Sequence, residues 1–177
     1  MEDVRQVDPK ASSNELYHIL EKLVALHRNL VDVLREEYVH MGAVDLNGLA
    51  ETARTKEVLL SEVWNLEQLR LKISATLAGV MNIPQGDASL MRLAEAMPGA
   101  EGERLRVIRT ALNMLVTQAK ELNSKNMVFA QSSLERLEEM KRNALGLGKT
   151  AIKENYSNSG VRQPSHEKGG RLLSTEA

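Results

Sequence analysis

Apolar residues recur along this chain every three or four positions, with polar residues filling the steps between. From Leu16 the series runs through Leu20, Leu23, Leu26, Leu30, Val33, Leu34 and Met41. That is the seam spacing of a coiled-coil-like helix, and it predicts a first helix over 14–41. Ser12 and Glu15 have the spacing of a capping box ahead of it, and Gly42 is expected to end it. Residues 1–13 are polar and predict a disordered N-terminus. A second helix is predicted over 45–79, capped by Asp45 or Asn47. Its seam is Leu49, Ala53, Lys56, Leu59, Val63, Leu66, Leu69 or Arg70, Ile73 and Leu77, with Lys56 and Arg70 as polar intrusions. The short link at 42–48 makes the two helices antiparallel neighbours. Trp64 lies on the flank of the second seam and reads as a packing residue.

The pattern breaks over 79–89, where Pro84 and Gly86 stand, and a short helix over 90–97 stops at Pro98–Gly99. A third long helix follows over 103–145. Its seam is Leu105, Ile108, Leu112, Leu115, Ala119, Leu122, Asn126, Phe129 or Ala130, Leu137 and Met140. Glu101 and Glu103 suit the positive end of its dipole. Ser132 and Glu135 repeat the capping spacing in mid-pattern, yet the unbroken periodicity favours one helix. The fold class is therefore all-α: an elongated antiparallel helical hairpin plus a third long helix, a three- to four-helix coiled-coil-like bundle over 14–145. Five of the eleven glycines fall after residue 145, so 146–177 is expected to be a flexible tail that orders on binding.

Composition narrows the chemistry. Aromatics are 3% of the 177 residues and cysteine is absent, so the core must be aliphatic and thiolate chemistry is excluded. Acids number 24 and bases 23, which gives no electrostatic case for nucleic acid. Charges interrupt every apolar stretch, so no membrane insertion is expected and the location reads as cytoplasmic. Gly148-Lys149-Thr150 ends like a phosphate-binding loop, but Asn143 stands where that motif needs glycine and a helix precedes it instead of a strand. Glu15 with His18 and Glu37 with His40 have di-iron spacing, but both pairs fall on one helix, about 22 residues apart, too far to share a centre. His27 and His166 have no ligand partners in the pattern. Carboxylate pairs such as Glu36–Glu37 and Glu138–Glu139 read as solvated helix faces. No catalytic, cofactor-binding or metal site is indicated.

Two features remain. Asn123 and Asn126 sit near the third seam, although asparagine is a poor helix former. A buried amide there sets register, and an exposed one can bond a partner's backbone. Leu134, Leu137, Met140, Leu145 and Leu147 continue the apolar pattern past Phe129. The third helix is the longest, so its last turns are expected to overhang the hairpin and leave this stripe uncovered. An exposed Leu/Met stripe marks a partner site or self-association.

At this point the sequence resembles the FlgN-type flagellar export chaperones. The marks are Lys56 followed by Leu59-Leu60-Ser61-Glu62-Val63-Trp64-Asn65-Leu66-Glu67-Gln68-Leu69-Arg70, then Leu122-Asn123 with Asn126, then Leu134-Glu135 with Leu137. Asn155-Tyr156-Ser157-Asn158-Ser159-Gly160 is similar to the family's tyrosine–glycine turn, with Ser157 in place of the first glycine, and Gly169-Gly170-Arg171-Leu172-Leu173 resembles the family's ending. The resemblance implies a cytoplasmic chaperone of flagellar type III secretion, neither an enzyme nor a cofactor binder. It would hold hook–filament junction proteins and deliver them to the export gate or export ATPase. On that footing Asn123, Asn126, Phe129, Leu134, Leu137, Met140, Leu145 and Leu147 are the candidate cargo-binding residues, and Tyr156 and Gly160 the candidate gate contact. The free form is a candidate homodimer. The rival reading is a structural coiled-coil scaffold that self-associates through the same stripe.

Overall fold

The computed structural model describes residues 9–146. It is all-α: α1 spans Pro9–Ala43, α2 Leu46–Val80, α3 Leu90–Ala96 and α4 Gly99–Ala144, with one 3-10 turn at Gln85–Asp87. Among the described residues there is no strand. The chain divides into two compact units, one up to Phe129 and one from Ala130.

α1 begins at Pro9, a turn before the predicted Ser12 cap. Proline fits a first helical turn because its missing N–H would have no partner there. Residues 9–13 are thus helical rather than disordered, and Ser13 is buried. Gly42 does not end the helix either. The stop comes at Val44, whose φ is 56°. Its N–H donates to Met41 O (3.3 Å) and that of Asp45 to His40 O (2.9 Å). This is the paired bonding that closes a helix on a left-handed residue. Asp45 then caps α2, its Oδ1 accepting from Gly48 N at 3.1 Å. Its Oδ2 pairs with His40 Nδ1 at 2.9 Å. The link is thus two residues long, which makes α1 and α2 a tight hairpin.

The pairing is antiparallel. Residues near the end of α1 meet the start of α2, as Glu37 does Lys56, while Leu16 and Leu20 share a cluster with Ile73 and Leu77. α1 is buried on two sides because α4 packs along it as well. One cluster joins Leu16, Tyr17, Leu20 and Leu23 to Ile73, Leu77, Leu93, Met97, Leu105 and Leu112. A second joins Leu30, Val31, Val33 and Leu34 to Leu59 and Ala119. His27, buried on α1 between Leu23 and Leu30, is satisfied by Leu23 O at 2.8 Å.

Polar contacts fix where α4 starts. Tyr17 donates its hydroxyl proton to Glu101 O at 2.7 Å. Arg104 lies 4.4 Å over the Tyr17 ring and pairs with Glu21 at 2.6 Å. Burial pushes the Tyr17 phenol above its ordinary pKa and the Glu101 charge adds to the push, while Arg104 opposes it. Gly102 is needed at its position: a Cβ there would sit 2.5 Å from Ala94 O and 2.7 Å from Met97 O, both backbone atoms. So the end of α3 packs against the first turn of α4 through bare backbone.

The packing expected of Trp64 fails. Trp64 is 66% exposed. α2 meets α1 through Leu59, Val63, Leu66, Ile73 and Leu77, and at 100° per residue Trp64 points well away from that line. Tyr38 is half-exposed, and its ring meets that of Phe129.

Candidate partner-binding surface

In the first unit the second asparagine of the pair is taken up inside the fold. Asn126 is 4% exposed. Its Nδ2 donates to Leu34 O and to Glu37 Oε2, each at 2.8 Å. Glu37 turns its other oxygen to Lys56 Nζ. One carboxylate, itself only 17% exposed, therefore joins α1, α2 and α4. The intruding lysine of the second seam and the asparagine of the third are two ends of one partly buried polar junction. A buried polar pair of this kind fixes register between helices. Asn126, expected among the cargo contacts, thus lies inside the fold with its donor group already spent on α1. Its Oδ1 is buried with no hydrogen-bond partner. Asn123 is exposed. Phe129 is half-buried, and its ring lies 5.3 Å from that of Tyr38, tilted by 56°.

The second unit carries the predicted stripe. α4 runs through Gln131 without a break to Ala144. Leu134, Leu137 and Met140 on it are 62%, 61% and 67% exposed, and Leu145 just beyond is exposed as well. Ala130, Ser133, Leu137, Met140 and Ala144 advance by three and four, so they share one helical face, with Leu134 on its flank. The helix closes with Lys141 and Arg142 in its last turn, where cations favour the dipole. Gly146 then takes φ +67°, a left-handed conformation that suits a residue without Cβ. Leu147, Tyr156 and Gly160 lie outside the described residues.

The structure also shows a surface that the sequence reading passed over. Leu60, Trp64 and Leu71 on α2 are 53%, 66% and 50% exposed. The signal was present: Ala53, Glu57, Leu60, Trp64, Glu67, Leu71 and Ala75 repeat at three and four. Glu57 and Glu67 disguise it. On another side of the hairpin, Ala25, Leu26 and Leu66, edged by Lys22, Glu62 and Asn65, line a shallow groove of about 450 Å³.

No helix among the described residues is long and apolar enough to cross a membrane. A braced helical hairpin that leaves aliphatic stripes uncovered at helical spacing defines the class: an all-α protein whose exposed helix faces are of the kind that take up partner helices. Comparison at the level of families is specific. A family model described as FlgN protein matches residues 4–164, and the chain belongs to that family of flagellar export chaperones. Comparison with curated proteins and with solved structures gives no match.

Proposed function

We propose that this chain is a cytoplasmic chaperone that holds the terminal helical segment of a hook–filament junction protein and hands it to the flagellar export gate. One observation carries the reading: Leu134, Leu137 and Met140 stand in water on one stretch of α4. A partner helix laid on that stretch would bury them by i, i+3, i+4 and i+7 contacts. Each such aliphatic side chain is worth about 1.5–3 kcal/mol when fully buried, and association costs offset much of the sum. That balance suits a grip which must later release. Leu145 and Leu147 extend the same aliphatic series in sequence. Asn123 and Phe129 enter the proposal as further contacts, and Asn126 as the residue that positions α4. Tyr156 and Gly160 remain the proposed gate contact on the strength of the family resemblance.

The test is co-purification of the tagged full chain with its junction protein. Leu137→Asp together with Met140→Asp should abolish the complex while helicity by circular dichroism stays unchanged, because neither side chain belongs to the buried core. Undiminished capture by that variant would refute the assignment of the stripe. For delivery, Tyr156→Ala should leave capture intact and lower secretion of the cargo. Equal secretion would remove Tyr156 from the proposal.

A further inference from the structure

We propose that a second copy of this chain docks on the outer face of α2, antiparallel, with Trp64 at the centre of the contact. α2 is apolar on more than one side. One side packs on α1 through Leu59, Val63, Ile73 and Leu77. The outer side carries Ala53, Leu60, Trp64, Leu71 and Ala75, all exposed, in the three-and-four spacing of a second seam. Tryptophan offers more apolar area than any other side chain, and here two-thirds of it faces water.

Charge selects both the occupant and its direction. Glu57 and Glu67 interrupt the seam, and an in-register parallel copy would set each glutamate against itself. Antiparallel pairing that places Leu60 against Leu71 of the second copy removes both clashes. In that register Trp64 falls opposite Glu67, which Arg70 already neutralises at 2.8 Å. Glu57 falls opposite the stretch that holds Lys72 and Ala75. Among the described residues neither Glu57 nor Lys72 has an ion-pair partner of its own. The two-fold axis makes that complementarity count twice, once at each end of the contact. The face is self-complementary in one direction only, which is the property an isologous dimer needs.

Trp64 is the only tryptophan, so its fluorescence reports this face alone. The experiment is light scattering and sedimentation of the full chain from low concentration to about 100 µM, a range that covers a micromolar dissociation constant, with emission recorded alongside. The expected result is a monomer–dimer equilibrium in which emission moves to the blue as the dimer forms. Leu60→Glu and Trp64→Glu should each raise the dissociation constant at least about tenfold, as loss of a central anchor does, with helicity unchanged. Glu57→Lys should weaken the dimer, and adding Lys72→Glu should restore it. Three results would overturn the proposal. The first is a chain that stays monomeric over the whole range. The second is dimerisation unaltered in both glutamate variants, which would place it on another face. The third is Trp64 emission already blue where scattering shows a monomer, which would mean that something other than a second copy covers the face. Failure of the double charge reversal to restore the dimer would overturn the antiparallel register.

Discussion

Asn126→Ala tests whether the polar junction holds α4 on the hairpin. The substitution removes two hydrogen bonds, one to Leu34 O and one to the Glu37 carboxylate, both at 2.8 Å. A net neutral bond contributes about 1 kcal/mol and one to a charged group about 1.5–3 kcal/mol. Against that loss of about 3 kcal/mol stands a gain: the buried Oδ1 that nothing satisfies also disappears, and an unpaired buried polar atom costs about 1–3 kcal/mol. Glu37 keeps Lys56 as a partner, so no charge is stranded. The expected net loss is about 1–2 kcal/mol. For a chain of this size that lowers Tm by roughly 2–8 °C. Urea unfolding followed by circular dichroism should show a lower midpoint with the same slope. Crossing the substitution with Glu37→Gln should give a coupling energy of about 1 kcal/mol. Asn126→Asp should cost more at neutral pH, because it sets a second carboxylate against Glu37, and it should recover in acid as one of the two takes a proton. If Asn126→Ala melts where the wild type does and the cycle shows no coupling, the amide does not brace the three helices and the reasoning fails.

Other substitutions test the local geometry. Gly102→Ala should destabilise by about 1–3 kcal/mol through overpacking, although helix propensity alone favours alanine by about 1 kcal/mol; a raised Tm would refute the close approach to Ala94 O and Met97 O. Val44→Gly should stabilise by up to about 1 kcal/mol, because a β-branched residue at φ 56° is strained; an unchanged urea midpoint would count against that strain. Acid should loosen the α1–α2 turn. The Gly48 N–H bond holds the Asp45 carboxyl below its ordinary pKa, with His40 contributing, so its stabilising contribution is present above the unfolded carboxylate pKa and is lost as pH falls through the folded one. Asp45→Ala should therefore flatten the acid limb of the Tm–pH curve, and a curve parallel to wild type would refute the assignment.

Helix periodicity made the architecture legible. The seams of α1, α2 and α4 were readable because aliphatic spacing maps directly onto a helix face. Boundaries were less so. Ser12–Glu15 looks like a cap, yet Pro9 opens the helix; Val44 stops α1 because two backbone bonds hold it there, not because its side chain favours the conformation. Spacing also cannot say whether a face is covered. Ala119 and Leu137 sit on one predicted seam, but the first is 7% exposed and the second 61%. Trp64 was misread for the related reason that an aromatic is presumed to pack. Asn126 was legible as an anomaly, but its meaning needed Glu37 and Lys56, residues remote in sequence that only the tertiary pairing brings together.

The two uncovered faces differ in what they can hold, and their polar residues make the difference. On α2, glutamates interrupt the seam and a lysine flanks it, so a partner must bring matching charge in a fixed register. Stretches like that favour one partner in one direction. On α4 the residues between Leu134, Leu137 and Met140 include both Glu and Arg, none of the three apolar positions is β-branched, and the unbranched Met140 adapts to different surfaces. The last turns of α4 make no helix on their own account, since about 12–15 residues in water are marginal. They extend a helix already nucleated and packed through Leu105, Leu112 and Ala119, so the stripe is ordered before any partner arrives. Preorganisation lowers the cost of binding, while an adaptable aliphatic surface keeps the demands on partner sequence low. That combination fits the proposed role of a carrier that recognises a helical end without locking onto it.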